Sequence, residues 1–83
     1  MKTFKLIVST PNGNVLEQDA TVLSLRGTEG SLAVMAGHVP FITTTRAGEV
    51  KVKTENEEKI YQATEGMLTV TKESVTLLCG EFK

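Results

Sequence analysis

Tryptophan is missing from this chain, histidine and cysteine occur once each, and proline occurs twice. A lone cysteine, Cys79, cannot close an internal disulfide, which fits a reducing compartment; it reads as a small apolar residue of the last strand rather than a reactive thiol. With His38 as the sole imidazole and Cys79 as the other soft ligand, the three or four donors of a zinc site are not there. A nucleophilic site would need a serine or cysteine held by His38 with a carboxylate behind it, which spacing alone does not establish. Four aromatic residues, Phe4, Phe41, Tyr61 and Phe82, are too few for a base-stacking platform. Nine basic against ten acidic side chains leave no basic excess for a phosphate backbone. Long apolar runs are absent too. The longest, Leu32 to Gly37, falls far short of the ~20 residues of a membrane helix, so any membrane association runs through a partner. The opening Met1 to Val8 places a lysine before apolar residues, but Pro11-Asn12-Gly13 ends the run, and it reads as a first strand rather than a signal peptide.

What remains is a dense, regular punctuation. At 83 residues the chain predicts one domain over residues 1–83 with one core, burying roughly 60–65% of the surface exposed when unfolded. Turn signals recur at Pro11-Asn12-Gly13, Gly27 to Gly30, Gly37, Ala47-Gly48, Glu55 to Glu57, Glu65-Gly66 and Lys72 to Ser74. Between them apolar residues alternate with polar ones, and no window of eleven residues has a helical period. The predicted strands are 3–10, 14–18, 20–26, 31–35, 41–45, 48–54, 58–65, 66–71 and 74–79. About nine or ten short strands in so small a chain imply an all-β fold without significant helix, in which two antiparallel sheets face each other as a sandwich. Lys51, Lys53 and Lys59 are placed to discourage edge pairing.

The motifs give little chemistry. Gly27-Thr28-Glu29-Gly30 resembles a phosphate-cradling loop in its glycines, but the next segment, Ser31 to Met35, reads as a strand and supplies no helix N-terminus. It is therefore a turn between strands, its tip free for a protein partner. His38 sits at a Gly37-His38-Val39-Pro40 corner, where its nitrogens meet backbone, water or an interface. Pro40, without an N–H, fixes how that corner enters the strand 41–45. The carboxylates Glu55, Glu57, Glu58 and Glu65, among the lysines of that region, read as a solvated hairpin end rather than an acid/base pair, and no active site assembles.

Several of these stretches together resemble the N-terminal domain of the epsilon subunit of F-type ATP synthases. Val8-Ser9-Thr10-Pro11-Asn12-Gly13 is similar to the family's first strand and turn. Gly27, Gly30, Leu32, Val34, Gly37, His38, Pro40, Thr43, Gly48 and Val50 follow its glycine-rich centre. Glu65-Gly66-Met67-Leu68-Thr69-Val70 and Val75 to Cys79 follow its last two strands. Ala33, Ala36 and Glu65 depart from the pattern, standing where the family has glycine, proline and glycine.

The resemblance implies a noncatalytic rotor part without cofactor or metal, on the cytoplasmic face of the bacterial membrane and attached to it through its partners. It would link the gamma subunit to the c ring and couple proton or sodium flow to ATP synthesis. Thr10, His38, Val39, Pro40 and Thr43 would lie at the gamma subunit, with Val39 in the dry centre of that contact. The turn Thr28, Glu29, Gly30 and Ser31 would meet the c-ring loops. Read as a short form of the subunit, the chain is expected to lack the family's C-terminal helical hairpin, and with it inhibition by the hairpin's extension. Two alternatives stand beside this reading: a free-standing β-sandwich module that binds a peptide or small ligand, and a small hydrolase using His38.

Overall fold

Phe4, Leu6 and Val8 alternate with Lys5, Ile7 and Ser9, and the first strand, β1 (Phe4–Thr10), buries the first set and turns the second outward. The computed structural model describes residues 2–37 and 39–83, so the expectations for His38 lie outside the described residues. Eight further strands follow: β2 (Gly13–Ala20), β3 (Val22–Gly27), β4 (Gly30–Met35), β5 (Phe41–Thr45), β6 (Gly48–Lys53), β7 (Glu58–Ala63), β8 (Gly66–Val70) and β9 (Ser74–Cys79). All nine predicted strands are found, and the described residues hold no helix.

The strands run in the order β2-β1-β9-β8-β5-β3-β6-β7, with β4 paired to β3 off that path. One residue pair, Gly27 with Thr45, joins β3 to β5, and beside it the Arg46 N–H donates to the Arg26 carbonyl at 2.9 Å. This narrow joint divides the chain into a five-stranded layer, β2-β1-β9-β8-β5, and a four-stranded layer, β4-β3-β6-β7. The expected sandwich is thus present, but as one continuous network folded over rather than two separate sheets. Nor is it antiparallel throughout, because β1 and β9 pair in parallel from Lys5 with Ser74 to Ser9 with Leu78. These are the first and last strands, so no hairpin dictates their relative direction.

The inward faces form one core. Leu6, Leu23, Leu68 and Leu77, with Val8, Val34, Val52 and Val75, are almost wholly buried. Each contributes about 1.5–3 kcal/mol by leaving water, which is what holds two twisted layers together without disulfides. Where the chain crosses between layers, Thr21 donates both its N–H and its hydroxyl to the Lys53 carbonyl, at 2.8 and 3.0 Å. A buried polar residue is satisfied there, and the crossing is pinned.

Edges are managed differently from the expectation. Lys51 and Lys53 lie on β6, flanked by β3 and β7, so of the three lysines named only Lys59 stands on an edge strand. The edge of β7 is covered instead by the C-terminal residues. Gln62 and Lys83 exchange backbone hydrogen bonds of 2.8 Å, Phe82 bridges Ala63, and the Thr64 hydroxyl accepts the N–H groups of Gly80 and Glu81 at 2.8 and 3.0 Å.

Candidate partner-binding face

Alternation that buries one side of β5, β8, β9 and β1 leaves the other side in solvent, and its composition is unusual. Two rows cross these strands: Ile42, Thr69, Thr76 and Ile7, and then Thr44, Met67, Leu78 and Ser9. None of the eight is charged. Ile42 is 67% exposed, Met67 43% and Leu78 46%. Charge returns only at the margins, where Lys5 of β1 pairs with Glu17 of β2 at 3.4 Å. Apolar surface rimmed by polar residues is the composition of a contact surface.

The residues singled out from the sequence lie around this face rather than in it. Thr10 ends β1 at one margin, where its hydroxyl accepts the Asn12 N–H at 3.2 Å. Val39, 74% exposed, and Pro40 precede β5 at the opposite end of the layer. Thr43 belongs to the inward row of β5, opposite the buried Leu68, and is half-buried. There it lines a cleft of about 510 Å³ with Phe41, Ile42 and the turn from Gly27 to Leu32. Thr43 and the turn Thr28 to Ser31, assigned to different partners from the sequence, therefore border one cleft.

Met67 and Leu78 were not singled out, although the signal was present. Strict alternation through Leu68 and Leu77 sends both neighbours outward, and two large apolar residues on outward positions of adjacent strands announce a face. Their pairing across β8 and β9 makes them contiguous.

The remaining chemistry is sparse. The described residues contain no cluster of three or more histidine, cysteine or acidic side chains able to hold a metal. Burial pushes the Cys79 thiol above its ordinary value, which favours the unreactive protonated form.

A family model described as the β-sandwich domain of the ATP synthase delta/epsilon chain matches residues 3–83. The chain belongs to this family. It is 42% identical over 81 residues to the sodium-ion-specific ATP synthase epsilon chain of Propionigenium modestum, covering 98% of this chain and 59% of that protein. To the epsilon chain of Anoxybacillus flavithermus it is 36% identical over 78 residues, covering 94% and 58%. The chain thus spans about three fifths of the length of these relatives. Among solved structures, a chain of the Euglena gracilis mitochondrial ATP synthase OSCP/F1/c-ring assembly superposes with a TM-score of 0.91 at 20% identity, over 98% of this chain and 52% of that one. A chain of the Tetrahymena thermophila central stalk and c-ring structure gives 0.83 at 15% identity, over 99% and 66%. At such identities these superpositions establish the shared fold.

Proposed function

We propose that this chain is a noncatalytic rotor subunit of an F-type ATP synthase, docked on the gamma subunit and resting on the c ring, where it helps couple proton or sodium flow to ATP synthesis. The observation that carries this reading is the uncharged outer face of β5, β8, β9 and β1, in a chain whose family is that of the delta/epsilon sandwich. Ile42, Met67 and Leu78 form the dry centre against gamma, and Thr10, His38, Val39, Pro40 and Thr43 its surroundings. The turn Thr28 to Ser31 stands at the ring. As a single domain over residues 1–83 it attaches to the cytoplasmic side of the bacterial membrane only through these partners, without cofactor.

A rotor part must pass torque without slipping. Sliding a strand of this layer by one residue breaks its ladder and turns its buried row, Leu68 and Val70 for example, into water. A rigid face also loses little freedom on docking, so a modest contact area suffices.

Calorimetric titration into the purified gamma subunit of the same organism tests the reading. Saturable one-to-one binding is expected, weakened more than tenfold by Ile42→Asp, because a carboxylate would be desolvated at the dry centre, and indifferent to Ser31→Glu at the turn. Absence of binding to folded gamma would overturn it and leave the free-standing module.

A further inference from the structure

The chain has two arginines, and both come to one place. Arg26 and Arg46 line a cleft of about 360 Å³ with Gly27, Thr28, Gly30 and Ser31, beside the joint between the layers. The joint does the gathering. Its Arg46 N–H to Arg26 carbonyl bond sets the two backbones side by side, and Arg26 stands opposite Ser31 across the β3–β4 ladder. Gly48, at φ +149°, holds the first arginine in position: a Cβ built there would stand 3.1 Å from Arg26 Cδ and 3.3 Å from its Nε.

Neither guanidinium has a charge partner. Among the described residues every ion pair is made by a lysine, Lys5, Lys51, Lys59 or Lys83, and no carboxylate lies within 4.0 Å of either arginine. Arg26 also lines a cleft with Glu49 and Arg46 one with Glu65, but neither carboxylate comes within 4.0 Å of its arginine, and none lines the cleft that the two arginines share. Two like charges drawn to one cleft repel each other in the free protein, and an anion between them reverses the sign of that interaction.

The donor set selects the anion. A carboxylate has two oxygens and is satisfied by one guanidinium fork. Two forks together with the exposed hydroxyls of Thr28 and Ser31 suit the three or more free oxygens of a phosphate or phosphomonoester. We propose that this cleft binds a terminal phosphoryl group, carried by free phosphate or by a lipid whose headgroup is a phosphomonoester. Recognition is through side-chain forks, because the glycine turn leads into β4 and supplies no helix N-terminus. The site does not depend on the contact with gamma, but it shares Thr28, Gly30 and Ser31 with the turn proposed to meet the ring, so it is a property of the free chain that competes with that contact.

The full chain, labelled with nitrogen-15, is titrated with inorganic phosphate and, at matched ionic strength, with chloride. Saturable shifts of the Gly27, Thr28, Gly30 and Ser31 amides are expected with phosphate alone. Arg26→Gln and Arg46→Gln each weaken them about tenfold or more, and Lys53→Gln, on another part of the surface, leaves them unchanged. Both substitutions sit on exposed side chains, so the fold is retained and the amide spectrum verifies it. Equal responses to chloride, or a phosphate response that survives the double substitution, overturns the proposal. Flotation with phosphatidic acid and phosphatidylcholine vesicles separates the sources. Arginine-dependent binding to the former assigns the headgroup, and a phosphate response without vesicle binding assigns the free ion.

Discussion

The rings of Tyr61 and Phe82 stack with centroids 4.7 Å apart and planes inclined by 26°, which fastens the end of the chain to the edge of the four-stranded layer. The stack lies beside the paired backbones of Gln62 and Lys83, so side chains and ladder reinforce each other. Phe82→Ala is expected to cost about 1.5 kcal/mol, from the aromatic pair and part of its buried area. Hydrogen exchange should show the Gln62 and Lys83 amides losing protection well beyond what that global loss accounts for. Uniform loss across the molecule would mean that the tail and the core unfold as one.

Leu68 and Met67 are adjacent in β8 and face opposite ways. Leu68→Ala removes a fully buried side chain and should cost about 3 kcal/mol, a large share of the roughly 4–12 kcal/mol that a domain of this size has. Met67→Ala should change the denaturant midpoint little and weaken binding to gamma. The same pair of measurements, stability and affinity, thus tells the two faces of one strand apart.

Gly66 sits where a Cβ would collide with the carbonyl oxygen of Leu78 on β9. The obstacle is backbone rather than the end of a flexible side chain, so it cannot swing aside. Gly66→Ala should destabilise by about 3 kcal/mol, by forcing β8 and β9 apart near their Gly66–Cys79 pair. Thermal denaturation checks this, with Gly13→Ala as a contrast whose added Cβ meets nothing within 4 Å and suffers only backbone strain at φ +113°.

Much of this was legible in the sequence because it is local. Turn residues and a period of two place every strand, and alternation through Val75, Leu77 and Cys79 names the buried row of β9 correctly. The parallel pairing of β1 with β9 was not legible, since two strands at opposite ends of the chain carry no turn to declare their direction. The joint at Gly27 and Thr45 was hidden for the same reason. Lys51 looked like edge protection because charge in a strand cannot say which strands flank it; on β6 it reaches Glu58 of β7 at 4.0 Å instead. The uncharged outer face needed pairing as well as pattern, because Ile42, Met67 and Leu78 become neighbours only once β5, β8 and β9 are in register.

Cys79 provides a dependence on pH. Burial raises its folded-state pKa above the ordinary 9.0, while the unfolded thiol ionises near that value. The stability linked to the thiol is therefore fully present below about pH 9 and is lost as pH rises through the folded-state pKa, because the unfolded chain releases its proton first. Stability measured on both sides of pH 9 should fall more steeply for the natural chain than for Cys79→Ala, whatever the absolute cost of that substitution. Parallel slopes would show that the thiol ionises equally easily in both states.

Salt separates the two contacts proposed for this chain. A face made of Ile42, Met67, Leu78 and threonines gains its affinity from area removed from water, which screening does not weaken. Affinity for gamma should hold or rise slightly as sodium chloride is increased several-fold. The turn at the ring carries Glu29 and is exposed, so any attraction there is electrostatic and declines with salt. Calorimetry with gamma alone, repeated with the assembled rotor, reads both. A steep loss of gamma affinity with salt would place the contact on the charged margin at Lys5 and Glu17 and remove the uncharged face from it.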